Sequence, residues 1–429
     1  MNGEDTVITL LGSSGGVAKA VISIFNKAYM NEKDPIHYFI KNSKLHLIDI
    51  KQKDKNYYEN IAPNLKNNMF LHEIDLNHIP LFKKHLQETQ TSIVVDVSWA
   101  DTGEILGCCN ELGVKYIDTA LENTFIDENE TLFSGFQLME RFSIFDEMKP
   151  SFKNTSAIIG SGMNPGVVQW MAIDLMNQYS DEKPLACYIV EHDTSFYENP
   201  NLAKKNTVYT TWSPECFLEE AISSYPMFMT QQTPVFLFHD VYSVEFKVTL
   251  GEKVFYGSLM PHEEVYTLGS LFNIESGFLY RVNENTTNLI RDNLEDVDVI
   301  WDFDQMLLDP SYAPLIGEDL VGVLLVYEDK ERFVYNVMNN KDAYANYGTN
   351  ATYLQVACGI YAGVASLLLD SFKKGVYYVD ELLLNTDSKY GTYLKFHMPH
   401  FVYGQNVKSD GLLLQRMKPY KDSDINENL

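Results

Sequence analysis

An apolar run over residues 6–11 stops at Gly12-Ser13-Ser14-Gly15-Gly16, and residues 17–25 then carry their apolar side chains as a helix does. The opening therefore reads as strand, glycine turn, helix. The alternation continues along the chain. Leu45-His46-Leu47-Ile48 ends at Asp49, Ser92-Ile93-Val94-Val95 ends at Asp96-Val97-Ser98, and Val114-Lys115-Tyr116-Ile117 ends at Asp118-Thr119-Ala120. Ala157-Ile158-Ile159-Gly160 is expected to close the series. Short apolar strands separated by helical segments predict right-handed crossovers, hence an α/β fold whose first domain, residues 1–162, is a doubly wound parallel sheet.

From Met163 the texture changes. Asn164-Pro165-Gly166 precedes an apolar helix over 167–176, and strand-like runs follow at 186–191, 235–238, 241–250 and 254–260. Such runs predict an α+β second domain over 163–349. Residues 353–369 are almost continuously apolar and small. A helix apolar nearly all round must be buried, so the C-terminal segment, 350–429, is expected to pack this helix at the junction of the two domains. The tail from Lys418 is polar and predicted to fray.

Composition narrows the class. A chain of 429 residues, 45% hydrophobic and 13% aromatic, exceeds what one core usually serves, which supports two domains. The formal charge of −26 excludes a nucleic-acid partner, because phosphate contacts need clustered Lys and Arg, and it is compatible with a cationic substrate. No stretch approaches the roughly 20 uninterrupted apolar residues that span a bilayer, and the first residues carry no basic leader, so a cytoplasmic protein without membrane contact is expected. Five cysteines without CxxC or Cys/His spacing predict neither a disulfide framework nor a metal site.

In the glycine turn, Gly12 lets the chain reverse, while Gly15 and Gly16, framed by Ser13, Ser14 and Val17, let the backbone approach a pyrophosphate at the positive end of the helix. The spacing is GxxGxxA, with Ala18 at the place of the third glycine. In this strand–turn–helix context the first domain reads as a Rossmann-like dinucleotide-binding unit. Asp49, at the end of the second strand, is placed to hydrogen-bond the adenosine ribose and repel a 2′-phosphate, which favours NAD; Lys51 and Lys53 soften that preference. Asp96, Val97, Ser98, Thr119 and Ala120 follow later strands, where such sheets bind ligands. Asp96 reads equally well as a strand-end cap.

Gly162-Met163-Asn164-Pro165-Gly166-Val167-Val168 resembles the Asn-Pro-Gly motif of the saccharopine dehydrogenase superfamily. Glu191-His192-Asp193-Thr194, Thr211-Trp212-Ser213 with Glu220, and His262-Glu263-Glu264 resemble elements of its homospermidine synthase branch. Residues 318–325 and 350–356 resemble two further signatures of that branch, so the likeness runs over nearly the whole chain in order. The His/Tyr-rich segment usual in that branch is not recognisable around Tyr280-Arg281-Val282-Asn283.

The resemblance implies an NAD-dependent coupling of two putrescines, or of putrescine and spermidine. An amine is oxidised, ammonia leaves, a second amine forms a Schiff base, and the stored hydride reduces it. It also implies that Glu191 and Glu220 are the main substrate carboxylates, joined by Glu264, Asp319 and Glu122. Carboxylates suit a diamine because they pair with ammonium groups, and a desolvated one can serve as general base. Trp212 would cover the aliphatic stem and attract an ammonium group through its ring. His262 would shuttle a proton or orient Glu264, and Asn164, ahead of Pro165, would position the nicotinamide or the reacting amine. A homodimer is usual among such relatives.

Three other readings stay open. A carboxynorspermidine or carboxyspermidine dehydrogenase would reduce the imine of aspartate semialdehyde and a diamine, and would need a cation such as Arg281 or Arg291 for the substrate carboxylate. Saccharopine and lysine-type opine dehydrogenases need still more carboxylate recognition. A non-catalytic NAD-binding protein would keep the fold alone.

Overall fold

A computed structural model describes residues 6–419. The chain is α/β and forms two compact units interleaved along the sequence. The first comprises the described chain up to Phe133, Gln137–Trp170 and Asp342–His400, and the second comprises Ser134–Phe136, Met171–Lys341 and the described chain from Phe401.

The first unit holds a sheet of seven parallel strands. Six come in succession: β1 (Val7–Leu11), β2 (Lys44–Asp49), β3 (Met69–Glu73), β4 (Ile93–Asp96), β5 (Lys115–Asp118) and β6 (Ser156–Ile159). Their spatial order is β3-β2-β1-β4-β5-β6, so the winding reverses beside the first strand. β1 and β4 are buried along their whole lengths, which is why they read as unbroken apolar runs. The sheet does not close at β6: Gly375–Tyr378 pairs beyond it, Val376 opposite Ala157.

That pairing moves the expected domain boundaries at 162 and 349. The chain returns to the first unit at Asp342 and supplies a strand to its sheet, then leaves it after His400. The apolar helix, Ala351–Leu369, packs within this unit on the helix Gly16–Met30, on β5 and on the helix Tyr390–His397. Its 19 residues have a mean hydropathy of 1.5, so by length and composition one stretch does reach membrane-spanning dimensions, contrary to the sequence expectation; 78% of it is buried by its neighbours.

Close packing explains its small residues. A Cβ on Gly359 would fall 1.9 Å from the carbonyl oxygen of Gly162, at the base of the Asn164-Pro165-Gly166 turn. Backbone cannot move aside as a flexible side chain can. Gly359→Ala is therefore expected to destabilise the protein by about 1–3 kcal/mol, seen as a lower urea midpoint, whereas an equal midpoint would show that the helix can shift.

The second unit is built on a mixed sheet. Its strands include β7 (Ala186–Asp193), β8 (Val244–Leu250), β9 (Lys253–Met260), β10 (Glu275–Arg281), β11 (Glu318–Val326) and β12 (Glu331–Asn339). Across the sheet they run β12-β11-β7-β10-β9-β8, with Phe401–Asn406 beyond β12 and Met417–Pro419 beyond β8. β7 and β10 are parallel, and the other neighbours are antiparallel. One face carries Tyr188, Val190, Leu259, Leu279, Leu320 and Leu324 into an apolar core with Phe246 and Phe333. The strand Met417–Pro419 overtakes the start of the predicted frayed tail; the rest of that tail lies outside the described residues.

Candidate functional site

The glycine turn joins β1 to the helix Gly16–Met30. Gly15 precedes the helix in extended conformation, no side chain among the described residues caps the helix start, and no acid lies in its first turn. The positive helix end is thus left open to an anion. Gly12 has φ +70°, and a Cβ there would come 2.6 Å from the carbonyl oxygen of Val97, so the turn demands glycine. At Gly16 a Cβ would come 2.1 Å from the Tyr353 ring, so the missing side chain also admits that ring.

Ser13 is buried, with its hydroxyl 3.2 Å from the Tyr58 hydroxyl and 3.1 Å from Gln52 Nε2. Ser14 donates to Asp49 through its amide at 2.9 Å and its hydroxyl at 2.7 Å. Asp49 therefore ties the turn to the end of β2 while remaining partly exposed. Val17, in the first helical turn, is half-buried.

At the end of β4, Asp96 caps the strand end. It accepts from the amide and hydroxyl of Ser98 at 3.0 and 2.6 Å and from Tyr116 Oη at 3.2 Å. Burial pushes its pKa up to about 6, against the pull of these donors. Val97 contributes its carbonyl to the wall facing Gly12, and Thr119 and Ala120 stay half-buried after β5, Thr119 lying beside Gly162. Asn164 and Pro165 form the turn that closes on Gly162, with Gly162 N–H donating to the Pro165 carbonyl at 2.8 Å. Glu122 belongs to this first unit, where it lines a small recess with Asn123 and Arg141.

The other acids gather in the second unit, on the sheet face opposite its apolar core. Alternation along β7 puts Glu191 and Asp193 on one face, and register sets Tyr280 of β10 beside Glu191 and Asp319 of β11 beside Asp193. All four are buried. The carboxylates of Glu191, Asp193 and Asp319 reinforce burial in raising the Tyr280 pKa well above the usual phenol range. Trp212 donates its indole N–H to Tyr280 Oη at 3.2 Å and meets Phe217 edge-on. Asp193 accepts from Thr211 Oγ1 at 2.6 Å and from the Ser195 amide at 2.8 Å.

Glu220, His262 and Glu264 form a second group in the same unit. Ser213 caps the helix Pro214–Leu218, which loosens into one π-helical turn, Glu219–Ser223, carrying Glu220. His262 stands at the start of the helix Glu263–Phe272, its ring against Phe278, which stacks on Tyr280. Its Nδ1 bonds Glu264 Oε2, and its Nε2 lies 4.0 Å from Glu220 Oε1. Burial alone would lower the His262 pKa, but the Glu264 and Glu220 carboxylates outweigh it and hold it at about 9. Burial lifts Glu220 to about 7, with His262 partly opposing. Tyr242 feels the charges of both Glu220 and Glu191, which links the two groups.

Asp193, Tyr242 and Tyr280 join the site beyond the residues expected from local motifs. The i, i+2 spacing of Glu191 and Asp193 on a strand was a usable signal for the first. Tyr242 and Tyr280 depend on strand pairing and tertiary packing, which no local pattern reveals.

No family model matches the chain, and no curated protein matches it. Among solved structures it is similar to saccharopine dehydrogenase (L-Glu forming) from Saccharomyces cerevisiae, with TM-score 0.55, 10% identity, and 94% of this chain and 100% of that one covered. It also matches the WlbA dehydrogenase from Chromobacterium violaceum, in complex with NADH and UDP-GlcNAcA, with TM-score 0.36, 9% identity, and 94% and 97% of the chains covered. Sheet order, interleaved chain path and the first of these likenesses together give the chain the two-domain Rossmann fold of saccharopine dehydrogenase-like structures.

Proposed function

We propose that this protein is an NAD-dependent enzyme that couples two putrescines, or putrescine and spermidine, with release of ammonia. The observation that carries the reading is the gathering of Glu191, Asp193, Asp319, Glu220 and Glu264 around Trp212, Tyr280 and His262 in the second unit. Five carboxylates, four of them buried, complement a dication, and the indole suits its aliphatic stem and ammonium end. Glu220, with a pKa near neutrality, would take the proton that an ammonium group must lose before reaction. His262, held cationic by its two acids, would return a proton to the departing nitrogen.

The glycine turn fits a dinucleotide: the open helix start would hold the pyrophosphate, and Asp49 the adenosine ribose. When bound, NAD would accept hydride from the amine-bearing carbon and return it to the Schiff base formed after ammonia leaves. Two putrescines thus become homospermidine and ammonia, with no net change in the cofactor.

Two arginines considered for a carboxylate-bearing substrate are committed elsewhere. Arg281 bonds Glu284 at 2.8 Å, and Arg291 pairs with Glu245. This weighs against the semialdehyde and saccharopine readings. Incubation with putrescine and NAD is expected to yield homospermidine and ammonia, identified by mass spectrometry, without NADH accumulating. A carboxylated triamine formed only from aspartate semialdehyde, diamine and NADPH would replace the substrate assignment, and NAD binding without turnover of either mixture would leave a binding protein.

A further inference from the structure

Three histidines far apart in sequence meet at one edge of the parallel sheet. His46 lies on β2, His72 on β3 and His85 on the helix Ile79–Thr89. Register pairs Ile48 with His72 and His46 with Phe70, so both strand histidines share one sheet face. One nitrogen from each of the three rings lies within 4.8 Å of the other two. His46 and His85 are only 8% and 7% exposed.

We propose that His46, His72 and His85 form a site for one divalent transition-metal ion, with zinc as the first candidate. Borderline ions of this kind favour imidazole nitrogen, and three histidines with an open fourth position are an established zinc ligand set. Two features point to a ligand rather than to packing alone. His85 Nε2 is buried and has no hydrogen-bond partner among the described residues, an arrangement that costs free energy until something fills it. His46 Nδ1 and His72 Nε2 stand 2.8 Å apart with one proton to share between them, and a cation would take the place of that proton.

Tetrahedral zinc with Zn–N bonds near 2.0–2.1 Å separates its ligand nitrogens by roughly 3.4 Å, so the pair must open by about half an ångström. A metal binds imidazole through a ring lone pair, and burial disfavours the protonated form of all three rings.

The site is tied to the cofactor turn. Gln52 Nε2 donates to the backbone oxygen of His72 at 2.9 Å and lies 3.1 Å from Ser13 Oγ. An ion clamping β2, β3 and the helix would therefore stiffen the strand pair from which the turn is held. The proposal does not depend on which amine the protein handles.

The test uses full-length protein without a histidine tag, stripped with EDTA and titrated with zinc sulfate by calorimetry. One ion per chain is expected, with Kd of about 10 μM or tighter. Binding should weaken at least about tenfold in His85→Ala and in His72→Ala and stay unchanged in His400→Ala. Cobalt(II) should give the intense visible absorption of a tetrahedral site, lost in the same variants. Metal-free melting separates ligand loss from misfolding; if His85→Ala does not fold, the less buried His72→Ala decides. No stoichiometric binding, or equal binding in a folded cluster variant and in His400→Ala, would overturn the assignment.

Discussion

Glu220→Gln is expected to lower kcat for the amine-coupling reaction by about 10²–10⁴-fold, the usual contribution of a positioned general base. The substitution keeps the size of a side chain held against His262 but removes the atom that accepts a proton. Glu220 retains 26% exposure, so proton exchange with solvent stays open. Its Oε2 has no hydrogen-bond partner among the described residues, which leaves that oxygen available to a substrate ammonium.

The pH dependence follows from the same geometry. The working form of Glu220 is the carboxylate and that of His262 the imidazolium, so kcat/KM should rise with pH up to about 7 and fall again as His262 loses its proton near 9. His262 holds that pKa down by its charge, so His262→Asn should move the rising limb to higher pH, not lower. Measuring kcat/KM against pH in both proteins checks the sign. A near-normal kcat in Glu220→Gln would remove Glu220 from the chemistry, and an unmoved limb in His262→Asn would deny the coupling.

Arg416→Met is expected to cost about 3–5 kcal/mol of stability, close to the whole margin of many domains. Arg416 and Glu331 form an ion pair whose side chains are both 0% exposed. Glu331 also accepts from the Asp410 amide at 2.7 Å and from Asn406 Nδ2 at 2.8 Å, and Arg416 Nε donates to the Gly411 carbonyl at 2.7 Å. Removing the guanidinium leaves a buried carboxylate without its cation, which is much worse than having no pair at all. Adding Glu331→Gln to Arg416→Met should therefore recover part of the loss in denaturant unfolding. Full additivity of two losses would show that the pair is not coupled.

Much of the first unit could be read from the chain alone. Its strands are buried on both faces and therefore appear as short apolar runs, each followed by a polar or glycine-rich break, as at Gly12 and Asp96. The half-exposed β3 lacks that signature; burial is partial along Met69–Glu73, and the strand went unseen. The edge strand Gly375–Tyr378 was hidden for another reason, because it joins β6 from more than 200 positions away and only the folded chain decides that return.

The candidate site divides along the same line. Residues such as Glu191, Trp212, Glu220 and Glu264 stood out because local motifs carry them. Their neighbours Asp193, Tyr242 and Tyr280 did not, since a side chain's partners across a sheet depend on register, which local pattern leaves open. The Tyr353 ring against Gly16 comes from a distant part of the chain, whereas the Ser98 donors hold Asp96 locally. By itself, the amino-acid sequence determined the alternating α/β pattern, the glycine turn and the acidic character of the second unit, because these rest on spacing and side-chain chemistry. Only tertiary structure decided the interleaved units, the carboxylates around Tyr280 and the histidine trio, because each joins groups that the chain keeps apart and packing brings within a few ångströms.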